Sequence, residues 1–169
     1  MNYNYLELPN PKFGLNHIHE ATRIVDNALG VGYFQEHLSE IECAWVCLDN
    51  NSVVAWAAVT TDRHPTAPSI GCLKCVAVDP LYRGQGIARK LTELRLDYLT
   101  RDEAHCFLIA SHAWVRPDGY CPSCGILESL GFKPHRELEG YYANAKYKCP
   151  SCKGKCKCVA RQYIKTNQR

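Results

Sequence analysis

With 169 residues, 46% hydrophobic and 22% charged, the chain can bury roughly 70% of its unfolded surface in one core, so a single domain over residues 1–169 is expected. Its apolar runs, such as residues 53–59, fall far short of the ~20 residues that cross a bilayer, and Met1-Asn2-Tyr3-Asn4 lacks the basic-then-apolar order of a secretory signal. Eleven cysteines, an odd number, argue against a secreted disulfide framework, which leaves a soluble, cytoplasmic protein in a reducing compartment as the expectation.

Residues 3–8 alternate weakly and predict an edge strand ending at Pro9 and Pro11. Ile18, Ala21, Val25 and Ala28 recur at helical spacing, and Gly30 and Gly32 supply the stop. A second short helix would carry Phe34, Leu38 and Ile41. Residues 44–48 and 53–60 are strand-like runs around Asp49-Asn50-Asn51-Ser52, a hairpin composition. With residues 72–78 they predict a three-strand antiparallel meander, its last two strands joined by a loop over 62–69 containing Pro65 and Pro68. Cys43, Cys47, Cys72, Cys75 and Cys106 fall on apolar runs and read as small core residues.

The most informative stretch comes next. An apolar strand ends at Asp79-Pro80, a turn with Gly84 and Gly86 follows, and a helix carrying Ile87, Leu91, Leu94 and Tyr98 begins directly, fading near Thr100 to Asp102. The glycines let the chain turn tightly, so that successive N–H groups and the positive helix end converge on one anion. Arg83 adds fixed charge, and a diphosphate is the natural guest. Neither a nucleoside-triphosphate loop nor a dinucleotide fingerprint is present. Instead, Arg83-Gly84-Gln85-Gly86-Ile87-Ala88 fits Arg/Gln-x-x-Gly-x-Gly/Ala, preceded by Val-Ala-Val-Asp-Pro-x-Tyr.

This pattern resembles the acetyl-CoA signature of the GNAT superfamily of acyltransferases. The resemblance implies an α/β fold of the GNAT type: a mixed, mostly antiparallel sheet flanked by helices. It implies acetyl-CoA as co-substrate, with Arg83, Gly84, Gln85, Gly86, Ile87 and Ala88 holding the diphosphate and the splayed strand at Val76 and Val78 holding the pantetheine arm. The acetyl group would pass directly to an amine, a backbone N–H near Val76 stabilising the carbonyl oxygen. In the superfamily the first two helices border the acceptor pocket, so Tyr33, Phe34 and Glu36 either meet substrate or simply pack.

Residues 106–110 predict a buried strand with His112 at its end. A helix beginning over 120–125 would carry Ile126, Leu127 and Leu130 inward and stop at Gly131. Its close resembles the superfamily's Tyr-x-x-x-Gly-Phe ending, but Leu127 holds the place of the tyrosine that often returns a proton to the CoA sulfur. A thiol leaving group with a pKa of about 8.5 can depart largely as the anion; Tyr120, Cys124, Tyr141 and Tyr142 stay open as substitute acids. The strand before the cradle offers Cys72 and Lys74 and no carboxylate. His112, with an ordinary pKa of about 6.5, is the candidate base.

Near the C-terminus, Cys149, Cys152, Cys156 and Cys158 can supply a complete tetrahedral thiolate shell, which predicts a structural zinc site in a loop over 147–158. Cys121-Pro122-Ser123-Cys124 repeats the tetrapeptide and offers a competing pairing with Cys149 and Cys152, or two free thiols at a helix start. Residues 132–142 and 159–164 read as the last two strands, so the zinc loop would connect them as one wall of the acceptor groove.

Residues 146–169 hold eight Lys or Arg and no Asp or Glu, whereas residues 1–145 hold twelve basic against seventeen acidic, a net of −5. A basic face of this kind suits an acidic partner or nucleic acid. Two other classes stay in view beside the N-acetyltransferase: a silent acyl-CoA sensor, suggested by Leu127, and a nucleic-acid module working through the zinc loop. Superfamily members often dimerise, and the acceptor, protein or small molecule, is not readable.

Overall fold

The computed structural model describes residues 3–9, 15–63, 66–101 and 106–167. Pro11, Pro65 and Asp102, which figure in the sequence expectations, lie outside them. Seven strands form one sheet in the order β1-β2-β3-β4-β5-β7-β6: β1 (Asn4–Pro9), β2 (Cys43–Asp49), β3 (Ser52–Asp62), β4 (Ile70–Val78), β5 (Leu108–Val115), β6 (Lys133–Leu138) and β7 (Val159–Thr166). Helices α1 (Leu15–Leu29) and α2 (Tyr33–His37) cover one face, and α3 (Ile87–Thr100) and α4 (Cys124–Ser129) the other. No helix among the described residues is long and apolar enough to cross a membrane.

The expected meander is present as β2, β3 and β4. Asn50 and Asn51 both take left-handed φ values, 47° and 68°, as a two-residue hairpin that follows the sheet's twist requires. Strands β2 and β3 are apolar without alternation because both their faces are covered. Trp45 and Val59 pack toward α3, while Val46, Trp56 and Ala58 pack toward α1.

Every neighbouring pair is antiparallel except β4 and β5, which α3 connects. That parallel pairing runs only from Ile70↔Leu108 to Leu73↔Ser111. Beyond it the two strands part, leaving the far half of β4 without a neighbour on that side. On the other edge of β4, the register with β3 slips between Ala58 and Val59, so that Lys74 is an extra residue, a β-bulge that turns the strand.

Four elements differ markedly from their expected bounds. α2 ends at His37, so that Leu38 falls in a 3-10 turn over Leu38–Glu40 and Ile41 is extended beyond it. β5 starts two residues beyond Cys106 and continues to Val115, since Ala113 and Val115 are buried and the strand pairs with β7 along its whole length. His112 is therefore mid-strand and not at a strand end. The last helix is only Cys124–Ser129, closed where Phe132 N–H reaches the Leu127 carbonyl and Gly131 N–H reaches that of Glu128, the paired bonds of a Schellman ending. β6 stops at Leu138, before the turn at Gly140.

Candidate active site

The cradle begins where Asp79 accepts from Leu81 N–H at 3.1 Å and sets a short 3-10 turn. Gly84 and Gly86 follow with φ of 76° and 79°, a conformation that costs a side-chain-bearing residue roughly 1–2 kcal/mol. Nothing lies within 4 Å of where either Cβ would stand, so the glycines are required by the turn and the space beside them is open. No side chain caps α3, and the amides of residues 84–89 have no partner among the described residues. They are the unpaired donors of the turn and the helix start, the kind of group that receives an anion.

Arg83 donates from Nε to the Val78 carbonyl at 3.1 Å, which fixes the guanidinium beside the turn. No carboxylate among the described residues pairs with it. The Gln85 side chain accepts from the Tyr3 hydroxyl, so its contribution to the cradle is its backbone.

A cavity of about 510 Å³ runs from this turn through the gap between β4 and β5. Val76, Val78, Arg83, Gly84, Gly86, Ile87 and Ala88 line it, and it ends among Tyr33, Tyr142 and Tyr147. Lys74, Arg83, Arg89, Arg95 and Arg116 border it and no Asp or Glu does among the described residues. That charge balance suits a polyanionic guest. Phe34 is buried against Trp56 and Glu36 accepts from Lys146 N–H, so of the three residues expected near the acceptor only Tyr33 faces the cavity.

The structure separates the catalytic candidates. His112 and Tyr120 line the cavity. Cys124 is joined to Cys121 in a disulfide, so it has no thiol proton to give, and the pair belongs neither to the metal cluster nor to the free thiols. Tyr120 is half exposed and carries Arg116 over its ring at 5.0 Å. Tyr142 is held well above the usual phenol range by burial, and Tyr141 stacks on the His112 ring at 5.0 Å. Leu127 lines the cavity without a proton to offer. His112 is depressed below the ordinary imidazole value by burial first, then by the cations Lys74 and Arg136.

Arg95 was missed by the sequence reading. It is 2% exposed and donates to the carbonyls of Cys75 (2.9 Å), Leu91 (3.3 Å) and Ala58 (3.4 Å) and to the Thr92 hydroxyl (2.9 Å). Burial lowers it to about 10, so it stays charged at neutral pH. Two of those carbonyls, of Ala58 and Cys75, belong to the residue pair beside the bulge at Lys74, so the guanidinium braces the strands there. The signal lay in the inward stripe of α3, where Arg95 stands between Leu91 and Leu99.

Between β6 and β7 the sulfurs of Cys149, Cys152, Cys156 and Cys158 lie within 4.8 Å of one another. Cys158 is 3.7 Å from Cys149 and 3.6 Å from Cys152, close to the roughly 3.8 Å between sulfurs that share one tetrahedral zinc with bonds of about 2.3 Å. Lys157 N–H donates to the Cys152 sulfur at 3.3 Å. The donor set fits zinc and leaves no position for a water.

This loop touches the tyrosine-lined end of the cavity directly. Lys148 N–H donates to the Val31 carbonyl at 3.1 Å, Tyr147 packs on Tyr33 with ring centres 4.9 Å apart, and Cys149 and Cys156 line the cavity. Gly30 permits the approach: a Cβ there would sit 2.2 Å from the Lys148 carbonyl oxygen. Of the basic tail, Arg161 pairs with Glu137 at 2.7 Å and Lys165 donates to the Leu130 carbonyl. Lys146, Lys148, Lys153, Lys155 and Lys157 stay exposed around the thiols.

Comparison with known proteins agrees with this geometry. The profile of the acetyltransferase (GNAT) family matches residues 5–132. The chain belongs to the GNAT family of acetyltransferases. Among its GNAT relatives, N-alpha-acetyltransferase 30 of Schizosaccharomyces pombe is 30% identical over 103 residues, 61% of this chain and 65% of that protein. An N-alpha-acetyltransferase of Saccharolobus solfataricus is 31% identical over 120 residues, 66% of this chain and 70% of the relative. The chain thus spans just under two thirds of the first relative's length. A chain of the NatC complex crystallised with Gag peptide and CoA superposes with a TM-score of 0.72 at 19% identity, covering 99% of this chain and 100% of that one. The GNAT fold is therefore shared to the ends of the described sheet.

Proposed function

We propose that this GNAT protein transfers the acetyl group of acetyl-CoA to the α-amino group of a peptide or protein N-terminus, with zinc held by Cys149, Cys152, Cys156 and Cys158 as a structural brace of the acceptor wall. The observation that carries this reading is the continuous cavity. It starts at open amides suited to a diphosphate and ends among tyrosines on the far side of the parted strands. The α-amine acceptors of the relatives named above point the same way.

In this reading the amides of residues 84–89 and Arg83 bind the diphosphate. The unpaired edge of β4 binds the pantetheine arm, and the Val76 amide faces the thioester oxygen. The amine nitrogen attacks the thioester carbon, the C–S bond breaks, CoA leaves as thiolate, and the amine's proton passes to water. Arg95 keeps the bulge, and hence the edge of β4, in place. Zinc when bound supplies rigidity, and no reacting atom meets it.

That no carboxylate lines the cavity among the described residues favours an α-amine on physical grounds. With a pKa of about 7.8, roughly 14% of α-amines are neutral at pH 7, against about 0.04% of lysine side chains with a pKa of about 10.4. A site with no strong base acts best on an amine that arrives unprotonated.

The full chain is incubated with acetyl-CoA and a panel of peptides, each containing an internal lysine and either a free or a blocked N-terminus, and the modified nitrogen is located by mass spectrometry. Acetylation of free N-termini alone is expected. Acetyl on lysine in blocked and free peptides alike, or CoA binding without transfer, overturns the reading; the second outcome identifies a sensor.

A further inference from the structure

His112, Gln162 and Arg136 form one row across three strands. His112 on β5 faces Gln162 on β7, and Gln162 in turn faces Arg136 on β6. The Arg136 Nε donates to Gln162 Oε1 at 2.9 Å, and the Gln162 amide nitrogen lies 3.2 Å from His112 Nε2. These contacts determine where the imidazole proton sits. A guanidinium has only donors, so the amide must present its oxygen to Arg136 and its NH2 to the histidine. An Nε2 that receives an N–H must supply a lone pair, and a neutral imidazole doing so carries its proton on Nδ1.

The ring is held from its face as well, by Tyr141 at 5.0 Å with the planes 18° apart. Among the described residues Nδ1 has no protein partner, and His112 lines the cavity. The charged groups that act on it are Lys74 from β4 and Arg136 from β6, both cationic. The lone pair a base needs is thus already engaged on the Gln162 side, and what the residue has left to offer is an N–H.

We propose that Arg136 and Gln162 are positioning residues that lock His112 as the Nδ1–H tautomer, making it a hydrogen-bond donor to the acceptor's first carbonyl oxygen and not the base for its amine. This rests on the proposed α-amine acceptor and deepens it. A peptide N-terminus always carries a carbonyl next to the carbon that bears the amine, whereas a lysine side chain or a simple alkylamine does not. Donation to that oxygen distinguishes the two and needs no change in the protonation of His112 during the cycle.

The lock is tested without any acceptor. Two-bond proton–nitrogen correlation spectra of the full chain, labelled with nitrogen-15, are recorded at neutral pH, and the His112 signals are assigned by their loss in His112→Asn. A neutral ring with a protonated Nδ1 and an unprotonated Nε2 is expected. A ring protonated at Nε2, or an imidazolium, overturns the lock. In Gln162→Glu a carboxylate replaces the NH2, so the proton should move to Nε2 and the His112 titration should shift upward by about one unit or more; an unchanged tautomer also overturns it.

The role is tested with a free-amine peptide that the full chain acetylates at its N-terminus. An asparagine side chain can place an N–H near the Nδ1 position and cannot accept a proton, so His112→Asn should retain kcat/KM within about 5-fold while His112→Ala loses about 30-fold. Equal losses in the two variants sink the donor role. If no peptide is acetylated at all, the donor role falls together with the acceptor assignment, and the spectra still decide the tautomer.

Discussion

The turn proposed to cradle the carrier is made of neighbouring residues and consists mainly of backbone: two positive-φ glycines, uncapped amides and one arginine anchored to the preceding strand. The proposed acceptor wall is assembled from distant segments. Glu36 accepts from Lys146 N–H across 110 positions of chain, and Tyr33 meets Tyr147 through their rings. The first kind of site is defined by local conformation. The second depends on docking one loop against another, and the zinc proposed for its four-cysteine cluster would supply cohesion that a polar loop of exposed lysines does not have.

If the two halves are separable in this way, disturbing one should leave the other intact. The largest effect is expected from Gly86→Val, which places a β-branched residue at φ 79° and should lower acetyl-CoA affinity about 100-fold. Calorimetry checks this, and a change smaller than about 5-fold would show that the amides are not the grip. A smaller and opposite effect is expected from metal removal. Chelation, or Cys149→Ser with Cys152→Ser, should cut kcat/KM for the acceptor about 10- to 50-fold and leave acetyl-CoA affinity unchanged. The smallest belongs to Gly30→Ala, whose methyl must push the Lys148 carbonyl from 2.2 Å. The acceptor KM should rise about 5-fold, with a loss of roughly 1–3 kcal/mol in stability by chemical denaturation. Equal damage to carrier binding in the last two cases would break the division.

The same contrast explains what could be read without coordinates. The strand, the glycine turn and the start of α3 follow one another in the chain, so periodicity and turn chemistry were sufficient to place them. The hairpin at Asn50 and Asn51 was legible for the same reason. Four cysteines close together in sequence predicted their own cluster, whereas the fate of Cys121 and Cys124 depended on which of two partners lay nearer in space. The row of His112, Gln162 and Arg136 joins residues 50 and 26 positions apart, and nothing local marks them. Arg95 stood in plain view on the α3 stripe, but its meaning needed the bulge at Lys74 that it braces.

The short seam between β4 and β5 has a mechanical consequence. Among the described strands, only the stretch from Ile70↔Leu108 to Leu73↔Ser111 pairs the amino-terminal half of the sheet with the carboxy-terminal half, and at the far end the two half-sheets are tied by loop contacts such as Lys148 N–H to the Val31 carbonyl. A carrier lying in the opening bridges them as a missing rung would, and loading it should draw the two blocks into one cooperative unit that melts together.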